Sequence, residues 1–184
     1  MVVEVGPAVD NLKVGDRVAI EPGVPCRRKS LDYRSCHHCR DGLHNLCRDI
    51  ICAATPLHDG MLFKYYTTQS VFCYPIPSQM SFEEGALVEP LTVAMQVAKA
   101  VGTVCKAYGA KKVVRGSIRY TAGCFSAILD LIASGKIDVK RLVTIRFAFE
   151  QVEEAFELLS REDKAVEGQG DGEVINVMIA GRKD

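Results

Sequence analysis

The chain has 184 residues, 48% of them hydrophobic and 25% charged, which suits a packed globular protein and excludes a disordered one. Lys plus Arg and Asp plus Glu each number 23, so the net charge of zero gives no electrostatic footprint for nucleic acid or an anionic membrane. No apolar run reaches the roughly 18 residues needed to span a bilayer.

Residues 1–5 are apolar and β-branched and read as a strand that turns at Gly6-Pro7. They do not read as a secretory signal, because Glu4 interrupts them and no basic stretch leads. The eight cysteines therefore point to a reducing compartment, and the expected location is cytoplasmic. Val14-Gly15-Asp16 is a turn, residues 17–20 form a second short strand, and Glu21-Pro22-Gly23 ends it.

The stretch 26–47 holds four cysteines and three of the chain's four histidines. Cys36 and Cys39 are two residues apart and Cys47 follows after seven more. Thiolates are good zinc ligands, and a two-residue gap lets two sulfurs reach one ion from a tight turn. Cys26 is the obvious fourth ligand, with His37, His38 or His44 as substitutes. A loop this long needs a staple to stay ordered, which supports a metal independently. The competing readings are a redox dithiol, which lacks a thioredoxin-like strand before the pair, and a disulfide framework, which lacks an export signal. The run Arg27-Arg28-Lys29 is a solvated loop, too short to bind nucleic acid.

Further along, residues 62–67 and 71–76 read as strands, the second bounded by Pro75 and Pro77. Ser81 and Glu84 form a capping box. The helix it starts is expected to stop or kink at Pro90, followed by helices at 93–101 and 103–108, the last stopped by Gly109. A strand is expected at 111–114, a helix at 126–134 closed by Gly135, and a strand at 142–147. Residues 149–159 are amphipathic, with Val152, Ala155, Phe156 and Leu159 on one face. Residues 160–172 are a charged loop, and 174–180 a final strand. Gly168, Gly170 and Gly172 are not a phosphate loop, since no strand leads in and no helix follows. Cys52, Cys73, Cys105 and Cys124 read as buried small hydrophobes.

Several motifs together resemble the zinc-dependent medium-chain dehydrogenases, and within them the polyol branch of sorbitol, xylitol and L-arabitol dehydrogenases. They are Val14-Gly15-Asp16-Arg17-Val18 with Glu21-Pro22-Gly23, the cysteines Cys36, Cys39 and Cys47, and Ala53-Ala54-Thr55-Pro56 with Asp59-Gly60. To these add Glu83-Glu84-Gly85-Ala86-Leu87-Val88-Glu89-Pro90-Leu91, Gly116-Ser117-Ile118-Arg119-Tyr120, and Gly135-Lys136-Ile137-Asp138-Val139. The resemblance implies a mixed α/β and β fold. Residues 1–91 would be a partial GroES-like, β-rich catalytic domain with a structural-zinc loop at 26–47. Residues 92–145 would be a remnant of a Rossmann dinucleotide-binding domain. Residues 146–184 would be a C-terminal helix and strand returning to the catalytic domain. It also implies structural zinc at Cys26, Cys36, Cys39 and Cys47, and a small-molecule polyol as partner. Glu89 resembles the glutamate beside the family's catalytic zinc. Arg119 and Tyr120 resemble residues lining the polyol pocket, and Tyr65 is expected to face the same pocket.

The sequence departs from the family pattern in ways that bear on activity. The catalytic zinc ligands, a Cys and a Gly-His-Glu, are expected upstream of the strand at which this sequence begins, and neither is in it. The GxGxxG that cradles NAD is missing: Gly102 runs directly into Thr103. Arg115-Gly116 stands where the ribose-binding acid is expected. Nine residues separate Cys26 from Cys36, where the family has two, as if residues 29–35 were inserted. The function implied is that of a zinc- and NAD-dependent polyol dehydrogenase that is catalytically impaired, with NAD binding in doubt. The alternative is a non-catalytic zinc-binding fragment that associates with full-length subunits. Apolar faces at 93–108 and 124–134 are expected to be exposed, giving poor solubility or a homo-oligomer.

Overall fold

The structure, a computed structural model, describes residues 1–26, 36–108, 116–160 and 174–181. The loop at 27–29, the Gly109 stop, the strand expected at 111–114, the side chain of Cys105 and the glycines of 168–172 lie outside the described residues. The chain divides into two compact units, Met1–Lys136 and Ile137–Asp184. No described helix is long and apolar enough to cross a membrane.

In the first unit, β1 (Val18–Ile20) pairs antiparallel with β4 (Cys73–Pro75), with Val18 opposite Pro75 and Ile20 opposite Cys73. Next to them, β2 (Gly23–Val24) pairs antiparallel with β3 (Ile51–Cys52). Among the described residues each sheet has two strands. Pro75 is tolerated because an edge strand need not donate on both sides. Residues 1–5 form no strand. Val2 exchanges backbone bonds with Gly15 and Asp16 at 2.9 and 2.8 Å, and no ladder continues beyond them. Residues 62–67 form none either, and Leu62, Phe63, Tyr65 and Tyr66 are exposed. Strand-forming composition is not enough where no partner strand lies alongside. The strand expected at 71–76 is shorter than its apolar run, because Ser70–Phe72 winds into a 3₁₀ turn before β4.

α1 (His37–Arg40) is the single turn between the paired cysteines. The capping box at the start of α2 (Phe82–Ala86) forms as its residues dictate. Ser81 Oγ accepts from the Glu84 N–H at 3.1 Å, and Glu84 Oε2 accepts from the Ser81 N–H at 2.7 Å. We expect Ser81→Ala to cost about 1 kcal/mol in a urea melt.

The sequence expectation of a break at Pro90 is overturned. α3 runs without interruption from Val88 to Tyr108, 21 residues. Pro90 is its third residue, inside the first turn, where a backbone N–H has no intrahelical partner to lose. Gly102 is absorbed within the same helix at a cost of about 1 kcal/mol relative to alanine.

α4 (Cys124–Ala133) starts after Gly123, whose φ of 81° suits glycine. It ends in a Schellman motif: Gly135 N–H donates to Ile132 O and Lys136 N–H to Leu131 O, at 2.9 and 3.0 Å. α4 packs on α3 and buries Phe125, Ile128, Leu129 and Ile132. The apolar face expected to be exposed at 124–134 is therefore covered.

The described residues of the second unit form a parallel pair, β5 (Val143–Phe147) with β6 (Asn176–Ile179), and an α-helix, α5 (Val152–Ser160). The register shifts between Val143 and Ile145. There Thr144 Oγ1 stands in for the ladder, accepting from Ile175 N–H and donating to Asn176 O, both at 3.1 Å. Ile145, Leu158 and Val174 form its core. The buried line on α5 is Ala155 and Leu158, while Phe156 is 59% and Leu159 45% exposed. The wider face expected from periodicity is not covered, because two strands bury only a narrow stripe of a helix.

Candidate functional site

The first site is built around one tight turn. Cys36 caps α1, Cys39 lies inside it, and Gly42, at φ 77°, carries the chain out of it towards Cys47. Cys26 follows β2 and closes the group. The four Sγ atoms of Cys26, Cys36, Cys39 and Cys47 all lie within 4.8 Å of one another. Cys26 Sγ is 3.5 Å from Cys39 Sγ. A tetrahedral zinc site with Zn–S bonds of about 2.3 Å has sulfur–sulfur edges of about 3.8 Å. The group therefore has the size of a four-thiolate site, and none of its members is in a disulfide.

The backbone is arranged for negative sulfur. Cys36 N–H points at Cys26 Sγ and Cys26 N–H at Cys47 Sγ, each at 3.4 Å. Burial pushes the Cys47 thiol up, but the N–H groups of Cys26 and Asp49, with the Cys26 and Cys39 thiols, bring it below its ordinary value; at Cys26 the Cys36 N–H lowers the thiol, yet burial and the Cys47 and Cys36 thiols leave it raised. The fourth member is Cys26 and not a histidine. His37 and His38 pack on each other, ring centroids 3.8 Å apart, and His44 turns to the neighbouring pocket.

That pocket, of about 330 Å³, is the second site. Glu21, Cys52, Tyr74, Glu89, Arg119 and Tyr120 are among its lining residues. Glu89 and the adjacent pair Arg119-Tyr120, far apart in the sequence, thus meet on one cavity. Glu89 is the second residue of α3, and burial pushes its carboxyl above the usual range. Burial, and then the charges of Glu21 and Glu89, push the Tyr120 phenol far above its usual range, so it stays protonated and able to donate. Arg119 has φ 52°, a left-handed conformation that costs a non-glycine residue of order 1–3 kcal/mol and is found mostly where function holds it. Its Nη1 is buried with no hydrogen-bond partner among the described residues. Gly23 lies against the pocket wall, where a Cβ would crowd Cys52 Sγ at 3.2 Å and Ile50 Cδ1 at 3.3 Å. Tyr74 braces the wall by donating to Glu21 Oε2 at 2.8 Å and stacking on Phe125, centroids 4.7 Å apart.

Tyr65 is not on this pocket. It is 64% exposed, with Lys64 Nζ 5.6 Å from its ring centroid. Cys52 and Cys124 are buried as expected, but Cys73 is only half-buried. Cys124 is also not in a purely apolar setting, since Lys99 Nζ lies 3.2 Å from its Sγ. Sequence reasoning missed Glu21, His44 and Asn45 as pocket residues. Glu21 and Asn45 lie inside motifs that were read only as a turn and a metal loop. Among the described residues, the thiol quartet is the one group of three or more His, Cys, Asp or Glu side chains placed to hold a metal. The acids of the pocket do not form a second.

Comparison with known proteins gives a consistent result. Residues 1–78 match the alcohol dehydrogenase GroES-like domain. The "Probable D-xylulose reductase A" of Arthroderma otae is 52% identical over 99 residues, covering 54% of this chain and 26% of the relative. The D-xylulose reductase A of Aspergillus niger is 42% identical over 139 residues, covering 65% of this chain and 37% of the relative. The chain thus spans about a third of the length of the curated relatives it matches. Among solved structures, an Escherichia coli oxidoreductase/dehydrogenase of unknown specificity aligns over 97% of this chain and 80% of its own, with a TM-score of 0.75 and 20% identity. The Escherichia coli L-idonate 5-dehydrogenase aligns over 85% and 75%, with a TM-score of 0.66 and 18% identity. At those identities the structural likeness concerns the fold alone.

Proposed function

We propose that this chain is a partial member of the medium-chain polyol dehydrogenase family, that its pocket is the polyol-binding part of that family's active site, and that its thiol quartet is a structural zinc site. The observation that carries the first reading is the convergence of Glu89, Arg119 and Tyr120 on one cavity, with Arg119 Nη1 buried and unpartnered. A buried donor without an acceptor costs free energy that a ligand oxygen can return. Arg119 donates to one hydroxyl oxygen, the protonated Tyr120 to another, and Glu89 accepts from a hydroxyl. Together they hold and orient a polyhydroxy molecule. The second reading rests on the size of the sulfur group and the N–H groups aimed at it.

In the family a zinc ion lowers the pKa of the substrate alcohol and NAD takes the hydride. Among the described residues, the acids lining the pocket form no group placed to hold a metal ion. The sequence holds no GxGxxG, so the dinucleotide cradle is also missing. We therefore read the chain as a polyol dehydrogenase type whose catalysis is impaired and whose partner is the small polyol. By ancestry, residues 1–91 are the partial GroES-like domain, 92–145 the dinucleotide-domain remnant and 146–184 the C-terminal return. That division is one of descent, and it differs from the compact units.

Calorimetric titration of the zinc-loaded chain with xylitol tests the reading. Saturable binding is expected, weakened about tenfold or more in Arg119→Gln, because a hydrogen bond to a charged group is worth about 1.5–3 kcal/mol. Binding that is absent, or unchanged in the variant, would falsify the assignment. The same titration with NAD is expected to be flat, and micromolar affinity would restore the dinucleotide site to this chain.

A further inference from the structure

The two sites are joined by one side chain. Asn45 lies in the 3₁₀ turn His44–Leu46, directly before Cys47. It is a member of the pocket wall. Its Nδ2 donates to Ile118 O at 3.0 Å, across 73 residues of sequence. The carbonyl it holds belongs to the peptide that leads into Arg119, the residue in the left-handed conformation. Its other polar atom, Oδ1, is buried with no hydrogen-bond partner among the described residues. Two buried atoms of opposite character, on pocket residues that this bond ties together, therefore have no hydrogen-bond partner among the described residues: the Arg119 Nη1 donor and the Asn45 Oδ1 acceptor. A hydroxyl, which both donates and accepts, is the group that satisfies such a pair.

From this we propose that Asn45 is a positioning residue through which the thiol loop holds Arg119 in the pocket, leaving its Oδ1 as an acceptor for a ligand hydroxyl. The proposal rests on the polyol reading for its ligand but not for its geometry. A strained turn persists only where its surroundings over-determine it. Arg119 has no partner for Nη1 to hold it, so the restraint falls on the backbone at Ile118, and Asn45 supplies that restraint from a loop fixed at Cys47. The metal loop thus forms one wall of the binding site and sets the aim of the guanidinium.

The test uses the full zinc-loaded chain and the arginine reagent phenylglyoxal, with modification rates read at each arginine by mass spectrometry. Arg17 is the internal reference, since its Nη2 donates to Met80 O at 2.8 Å and its guanidinium sits over the Phe82 ring, away from the pocket. In Asn45→Leu, which keeps the volume and removes both polar atoms, Arg119 is expected to react roughly tenfold faster with Arg17 unchanged, the scale of one lost restraint. Asn45→Ser serves as the second variant should leucine fit badly, with the same expectation. Asn45→His, whose ring offers an N–H to Ile118 O, is expected to restore the slow rate of Arg119 while leaving xylitol binding weakened, because the Oδ1 acceptor is gone. Unchanged Arg119 reactivity in Asn45→Leu and Asn45→Ser overturns the proposal. So does a parallel rise at Arg17, which would mean general loosening. If Asn45→Leu unmasks Arg119 but the unsubstituted chain binds no xylitol, the polyol reading fails and the positioning role stands.

Discussion

Removal of zinc from the proposed four-thiolate site is expected to abolish the cooperative melting of residues 1–136. Four sulfurs within 4.8 Å of one another cannot all carry charge without a cation between them. Zinc binding to cysteine-rich sites in small peptides is worth about 10–16 kcal/mol, and that binding energy is folding energy. A domain of this size has only about 5–15 kcal/mol of net stability. The metal term is therefore comparable with the whole. Metal analysis should give about one zinc per chain, and the double variant Cys36→Ser with Cys39→Ser should give none. Thermal melts followed by circular dichroism, with and without a strong chelator, measure the consequence. Zinc that survives the double substitution, or a melt indifferent to chelation, would rule the site out.

Phe125→Ala is expected to have the next largest effect, about 3–5 kcal/mol, as for large aromatic truncations in well-packed cores. Phe125 is only 2% exposed. Its ring stacks on Tyr74 and lies 6.0 Å, centroid to centroid, from Tyr120. Truncation opens a cavity behind two residues that line the pocket, so xylitol affinity should fall together with stability. Phe125→Leu keeps most of the volume and should cost far less. Urea melts on the three proteins give the comparison, and a loss below about 1 kcal/mol in Phe125→Ala would show that the site collapses without penalty.

What could be read from the sequence was what a few neighbouring residues decide among themselves. Ser81 with Glu84, the Gly135 stop and the Cys36–Cys39 turn are of this kind, since each feature closes within six residues or fewer. The motif resemblance brought Glu89, Arg119 and Tyr120 forward as candidates, and the fold places all three on one pocket. The strands were read less well. Whether residues 62–67 become a strand depends on a partner elsewhere, and their composition carries no information about one. Pro90 misled for the opposite reason: its effect depends on its position in the helix, and the helix starts only two residues before it. Asn45 was invisible because its role lies in a bond to Ile118, 73 residues away. Position within an element and contact across the chain are properties of the fold, and a linear pattern carries them only weakly.

The uncovered stretch between β3 and β4 has a practical consequence. Leu57 is fully exposed at φ 74°, and Leu62, Phe63, Tyr65 and Tyr66 follow it on irregular backbone. These are the side chains that chymotrypsin prefers, on a segment with few backbone bonds to break before it can enter a protease cleft. A cut there would not release the two pieces. β1 lies before the cut and β4 after it, and their ladder joins the halves, as does the bond from Asn45 to Ile118. A nicked form should therefore run as two bands on a denaturing gel and as one species in native buffer. The same segment is then a natural place to split the gene into two co-expressed parts, or to graft a tag, without disturbing either the sulfur group or the pocket.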